Sequence, residues 1–175
     1  MATPDPVLPD LLMPGLSVVF CGTAAGSVSA AKGQYYAHPQ NKFWRTLHAI
    51  GLTPRLFAPA EFPLLPRLGI GLTDIAKHVW GMDNELPPQS LGRDAVAALR
   101  VRIAAARPGI LACTSLTGGK RLCGPRTNFG AQAETIGATR IWVLPSPSPA
   151  AHWNWNESVW RALAHEVRAL RGDEA

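Results

Sequence analysis

Short apolar runs bounded by glycine or proline alternate along this chain with segments whose apolar residues recur at helical spacing. That alternation is the pattern of strands buried on both faces by crossover helices. The runs Ser17–Gly22, Gly109–Thr114 and Arg140–Leu144 predict strands, and Leu68–Thr73 predicts a fourth from a weaker pattern. Between them, Val96, Leu99 and Ile103 form an apolar stripe on a helix over Asp94–Ala106, with Asp94 as its N-cap. Val159, Leu163, Val167 and Leu170 form another over Glu157–Leu170, capped by Asn156. A third helix is predicted to start at Pro39, where a first-turn proline costs no hydrogen bond, and to end before Gly51. At about 100° per residue, its residues Phe43, Trp44, Leu47 and Ile50 share one face, and Asn41, Arg45 and His48 the other. The expected architecture is a single α/β domain over residues 1–175 with three αβα layers. Its central, mainly parallel sheet of about four strands binds ligands at the carboxyl ends of the strands.

Composition narrows the classes. A chain of 175 residues that is 47% hydrophobic and 17% charged can bury a core, which excludes a disordered tract. The sixteen glycines and sixteen prolines punctuate periodic segments rather than forming a low-complexity run. Cys21, Cys113 and Cys123 make no C-x-x-C pair, so buried, reduced thiols and an intracellular, cytoplasmic protein are expected. No apolar run approaches the ~18 residues of a membrane span, and no signal-peptide pattern is present at the N-terminus.

Charge is unevenly placed. The net charge is +5, yet no acid lies between Asp10 and Glu61 or between Asp94 and Glu134. Two acid-free basic stretches fit a face that meets a polyanion. On charge alone, ordinary solvated helix charge accounts for them as well.

Familiar sites fail when written against the residues. Lys120 lacks the glycine and the following Ser or Thr of a P-loop, Gly69–Asp74 lacks the last glycine of a dinucleotide fingerprint, and no G-x-S-x-G elbow occurs. The five histidines show no metal spacing, so neither a metal nor a cofactor is expected. Two strand-end loops remain, Gly22–Gly26 (GTAAG) and Pro145–Ala151 (PSPSPAA).

These loops, together with VVFCG at 18–22, YYAHPQNKFW at 35–44, GIGLTDI at 69–75 and LPSPSPAA at 144–151, resemble the uracil-DNA glycosylase superfamily. The first block is similar to the mismatch-specific uracil/thymine branch, and the HPQN and LPSPSPA blocks are closer to the hypoxanthine-DNA glycosylase branch. Where the mismatch-specific branch carries a water-positioning Asn in the first loop, this chain has Ala24. The hypoxanthine branch carries that Asn in its HPxN segment, which here is Asn41. An amide orients water without being basic enough to deprotonate it early, which implies late attack on a largely broken bond. Asp74, in the GIGLTDI block, is the rival water activator; as a purely structural carboxylate it would cap a neighbouring loop.

The resemblance implies the remaining roles. Tyr36 matches the aromatic that stacks on an extruded base, the N–H groups near Thr23 and Ala24 would stabilise the departing base, and Ser148 joins them at the base. Ser146 and Ser148 offer hydroxyls to flanking phosphates in a loop stiffened by prolines, Pro147 and Pro149 among them. Ala150, Ala151 and His152 match the segment that fills the vacated space from the minor groove, with Ser29, Lys32 and His38 as further DNA-backbone contacts. Trp153 and Trp155 are expected to pack the start of the last helix, with a wider DNA-contacting surface as the alternative. Lys32 and Lys42 could in principle form a Schiff base, but the resemblance is to enzymes that use water.

The expected function is therefore a monomeric, monofunctional DNA glycosylase of base excision repair, acting on uracil first, with hypoxanthine and xanthine as further substrates. A non-catalytic nucleic-acid-binding module on the same fold and a nucleoside or nucleotide hydrolase are the competing classes.

Overall fold

The computed structural model describes residues 2–172. Five strands form one sheet in the order β2-β1-β3-β5-β4: β1 is Val18–Gly22, β2 Ile70–Asp74, β3 Ile110–Cys113, β4 Gly130–Ile136 and β5 Thr139–Val143. The first four in that order run parallel, and β4 pairs antiparallel with β5 at one edge. Helices α1 (Ser27–Lys32), α2 (Phe43–Ala49), α3 (Arg93–Ala106), α4 (Leu116–Cys123) and α5 (Glu157–Arg171), with 3-10 turns over Pro59–Leu68, Asp83–Glu85 and Pro149–Asn154, complete the order.

Every residue of β1, β2 and β3 is buried, because alternate side chains meet a different helical layer on each face. Val18, Phe20, Ile70, Leu72, Ile110 and Ala112 pack with Phe43, Trp44 and Leu47 of α2 and with Trp160, Leu163 and Val167 of α5. Val19, Cys21, Leu111, Cys113, Ile141 and Val143 pack on the other face with Leu99 and Ile103 of α3 and Leu122 of α4. These two apolar layers make the three-layer αβα arrangement. The thiols of Cys21 and Cys113 are buried as expected, whereas Cys123 is only half-buried; burial pushes the Cys113 thiol up to about 12. No helix among the described residues is long and apolar enough to cross a membrane.

The differences from expectation have local causes. Strand β4 (GAQAETI) was outside the predicted set because it is a largely exposed edge strand with no apolar run to mark it. Helix α4 was missed because its LTGGKRLC carries two glycines. A β-carbon on Gly119 would come within 2.6 Å of Val143, so close packing on β5 favours glycine there over a better helix former, and Ser115 caps the helix by accepting from Gly118 N–H. Helix α3 has Gly92 rather than Asp94 at its N-cap, and Asp94 lies in the first turn. Asn156 caps α5 as predicted, its Oδ1 accepting from Ser158 N–H at 3.0 Å, but the buried stripe ends at Val167, and Leu170 is half exposed.

Helix α2 starts at Phe43, not Pro39. His38–Gln40 form a turn closed by Asn41 N–H donating to the His38 carbonyl, and Asn41 Oδ1 accepts from Phe43 N–H at 2.9 Å. The amide thus satisfies a free N–H of the first turn from outside the helix.

Aromatic residues tie the functional loops to this core. Trp160 stacks on Phe20 at 5.7 Å and donates its indole N–H to the Pro145 carbonyl, while Trp44 donates to the Tyr35 carbonyl. Replacing Trp160 by Ala is expected to cost about 3–5 kcal/mol, read from the denaturant midpoint, because it opens a large cavity and frees the loop anchor together.

Candidate active site

In a parallel sheet the strand ends sharing one edge place their following loops side by side, and here those ends are Gly22 of β1, Asp74 of β2 and Thr114 just beyond β3. Gly22 pairs in register with Asp74. A β-carbon on Gly22 would lie 2.5 Å from Asp74 Oδ1 and 3.6 Å from the Tyr36 hydroxyl, so only glycine lets the three groups share one floor. Gly22→Ala is expected to displace the Asp74 carboxyl and cut activity at least tenfold in a variant that still folds, as checked by circular dichroism alongside the assay.

Asp74 is 5% exposed, and its carboxylate accepts no hydrogen bond and makes no ion pair among the described residues. Nearby cations are directed elsewhere. Arg102 donates to the Asp74 main-chain carbonyl at 2.8 Å, and Arg102 and Lys77 both pair with Asp10, which also accepts from Thr73. Burial is the main cause that lifts the Asp74 carboxyl to about 6; Asp10 adds to the rise, and Lys77 and Arg102 oppose it. The side chain caps no loop.

Tyr36 sits at φ +51°, an uncommon conformation for a bulky residue and one that concentrates at sites where the surroundings enforce it. One ring face stacks on Phe43 at 3.9 Å. Thr114 Oγ1 donates to the Cys21 carbonyl, so the 3.0 Å contact between Tyr36 and Thr114 leaves the tyrosine as donor. Burial and the nearby Asp74 push the Tyr36 hydroxyl well above its ordinary value, keeping it neutral. Thr114 was absent from the sequence expectations, although the strand-end rule that selected the two loops applies equally to it.

The first loop is held by its carbonyls. Gly22, Thr23 and Ala25 accept from Ile75, Ala76 and Gly81 N–H groups, while the N–H groups of Thr23 and Ala24 donate to no acceptor among the described residues. The Thr23 hydroxyl is engaged with Asp83 at 2.5 Å.

The third wall joins two of the predicted blocks. Lys42 N–H donates to the Pro147 carbonyl at 2.9 Å, setting the HPQN turn against the proline loop. Asn41 lies at that junction, half-buried, with its Oδ1 on Phe43 and its amide N–H groups unclaimed by the described residues. Ser146 Oγ accepts from Ser148 N–H, and Ser148 Oγ from Ala150 N–H, so both hydroxyls brace their own loop and keep their protons for another acceptor. Pro147 is buried, Pro149 and Ala151 are half-buried, and Ala150 and His152 are exposed. His38 Nδ1 accepts from Gln40 N–H, leaving Nε2 outward, and Lys32 is exposed at the end of α1. Ser29 departs from expectation: it is 6% exposed and its hydroxyl accepts from Ala37 N–H, so it fixes the turn behind Tyr36 instead of facing a ligand.

The two tryptophans separate. Trp155 packs at 5.7 Å from Trp160 as expected, whereas Trp153 is 74% exposed and packs on no other aromatic ring. Beside them runs a groove of about 370 Å³ lined by Pro39, Gln40, Lys42, Arg45, Pro149 and His152, continued by a second of about 340 Å³ in which Lys42 lies 5.6 Å over the Trp155 ring. Lys42 and Arg45 make no ion pair among the described residues, so the acid-free stretch does present cations beside the candidate site.

Among known proteins, the model of the uracil DNA glycosylase superfamily matches residues 9–166, a span containing all five strands and both strand-end loops. The chain belongs to that superfamily, whose members are DNA glycosylases. A solution structure from Methanosarcina acetivorans, provisionally named a uracil DNA glycosylase, superposes with TM-score 0.64 over 92% of this chain and 96% of that one. At 22% identity, that likeness is one of fold. The resemblance carried by the sequence blocks thus holds at the level of the superfamily.

Proposed function

We propose that this chain is a monofunctional DNA glycosylase that hydrolyses the N-glycosidic bond of deaminated nucleotides, uracil first, with hypoxanthine and xanthine as further substrates. The observation that carries the reading is the buried, unpaired carboxyl of Asp74 at the carboxyl end of the sheet, held near 6 beside a loop with free N–H groups. A group with that value is largely ionised at neutral pH and can still accept a proton.

An extruded nucleotide enters between the GTAAG and proline loops, its base beside Tyr36. As the C1′–N bond breaks, its electron pair goes to the base, and the N–H groups of Thr23 and Ala24 stabilise the negative charge that develops there. Ionised Asp74 offsets the positive charge on the sugar and takes the proton of the water whose oxygen bonds to C1′. Asn41 donates its free amide hydrogens at the mouth, orienting that water or the sugar. Ser146, Ser148, Lys32 and His38 contact flanking phosphates.

The test is a uracil-containing duplex oligonucleotide treated with the protein and then with hot alkali. Strand breakage at the uracil is expected from wild type, with no breakage at thymine in a matched control. Binding without breakage would favour a non-catalytic module, and cleavage of free deoxyuridine alone would favour a nucleoside hydrolase. Borohydride is expected to trap no covalent enzyme–DNA adduct, since water rather than lysine attacks.

A further inference from the structure

The Asp74 carboxylate is unpaired although two cations stand beside it, and the cause lies near the start of the chain. Strand β2 is at one edge of the sheet, and residues 7–11 lie against its open side. Leu11 bridges Leu72 antiparallel, with N–H donation in both directions at 2.9 and 3.2 Å, and Val7 N–H donates to the Lys77 carbonyl. The Tyr35 hydroxyl donates to the Pro9 carbonyl at 2.9 Å. This strap covers the strand edge and brings Asp10 to the flank of Thr73 and Asp74.

Asp10 is the counter-ion of both cations. Its Oδ1 lies 2.6 Å from Lys77 Nζ and accepts from the Thr73 hydroxyl at 2.7 Å, and its Oδ2 lies 3.1 Å from Arg102 Nε. The Lys77 side chain is 9% exposed, so salt and water screen its pair weakly. Lys77 also donates to the Tyr35 hydroxyl, and Arg102 to the Asp74 main-chain carbonyl. The other ionisable groups around the Asp74 carboxyl are Cys21 on β1 and Tyr35 and Tyr36 on the turn before α2, each kept neutral by burial. The charges that act on it are Lys77, Asp10 and Arg102.

We propose that Asp10 is a positioning residue that holds Lys77 and Arg102 off the Asp74 carboxylate, keeping it unpaired and able to take a proton from water. The inference rests on the glycosylase reading and deepens it. A carboxylate that accepts from a cation has its lone pairs occupied and is a weaker base. Lys77 follows Asp74 by three residues and Arg102 already touches its main chain, so with Asp10 uncharged the buried acid left to them is Asp74.

The test compares wild type, Asp10→Asn and the double variant Asp10→Asn with Lys77→Met. Two readouts are taken against pH: the single-turnover rate of uracil excision, and the Asp74 carboxyl carbon followed by nuclear magnetic resonance. Asparagine keeps an acceptor for the Thr73 hydroxyl. In Asp10→Asn both midpoints are expected to fall from near 6 to about 5 or below, and the plateau rate about tenfold. Adding Lys77→Met is expected to bring both midpoints back toward 6, which a merely structural role of Asp10 would not do. Midpoints in Asp10→Asn equal to wild type, whatever the rate, would overturn the assignment. Should Asp10→Asn fail to fold, Lys77→Met alone decides: a carboxyl midpoint above that of wild type supports the assignment, and an unchanged one overturns it. Absence of excision by wild type would overturn the glycosylase reading, while the carboxyl titration would still decide whether Asp10 keeps Asp74 unpaired.

Discussion

Asp74→Asn is expected to abolish most of the activity and, at the same time, to stabilise the protein. Loss of the proton acceptor removes a contribution typically of about 10²–10⁴-fold in rate. The stability sign follows from linkage. The folded carboxyl titrates near 6 against an ordinary 3.8, so the folded state binds the proton more tightly than the unfolded chain. Well below 3.8 both states are protonated and no cost is felt; stability falls as the pH rises from about 4 to 6, and above 6 the ionised group costs on the order of 3 kcal/mol. Asparagine does not ionise. The variant is therefore expected to gain up to about that amount at pH 8 and much less at pH 4, measured as denaturant midpoints at the two values. Equal stability at both values would show that the carboxyl is not held under strain by its burial.

Asn41 separates along a different line. Its Oδ1 serves the fold through Phe43 N–H, and its amide hydrogens are the part free to serve chemistry. Asn41→Ala loses both and is expected to drop activity about 10²-fold and stability by about 1 kcal/mol. Asn41→Asp keeps an acceptor for Phe43 and is expected to retain the stability while losing comparable activity. Full activity in Asn41→Asp would show that the oxygen, and not the amide hydrogens, matters. Thermal unfolding and single-turnover rates on the same two variants decide it.

The fold was largely legible because burial on both faces writes strands as apolar runs, and β1, β2, β3 and β5 each carried one. What escaped were the elements that such runs do not mark: the exposed edge strand β4, the short helix α1, and α4 with its paired glycines. The strand-end rule and the blocks pointed to loops at the carboxyl edge of the sheet, and the structure brings Asp74, Tyr36 and the first loop together there. Side-chain allegiance was not legible. Helical periodicity put Asn41 on a solvent face of α2, but its short amide is engaged by the backbone two residues on, which no hydrophobic period reports. The resemblance offered Ser29 as a DNA-backbone contact, and only the turn at Ala37 shows that its hydroxyl faces inward. The Asp10, Lys77 and Arg102 cluster behind β2 joins residues far apart in sequence, so no local pattern could reveal that these cations face Asp10 and leave the Asp74 carboxylate unpaired. Trp153 and Trp155, two positions apart and alike in sequence, went opposite ways because only one of them reaches Trp160.

The proposed chemistry depends on the ionisation of one carboxyl, that of Asp74. The most direct test is the single-turnover rate of uracil excision from a duplex measured between pH 4.5 and 8.5 for wild type and Asp74→Asn. The expected result is a wild-type rate that climbs with pH to a plateau, with its midpoint near 6, and a residual rate in the variant that lacks this step. A flat wild-type profile, or a variant as fast as wild type, would contradict it.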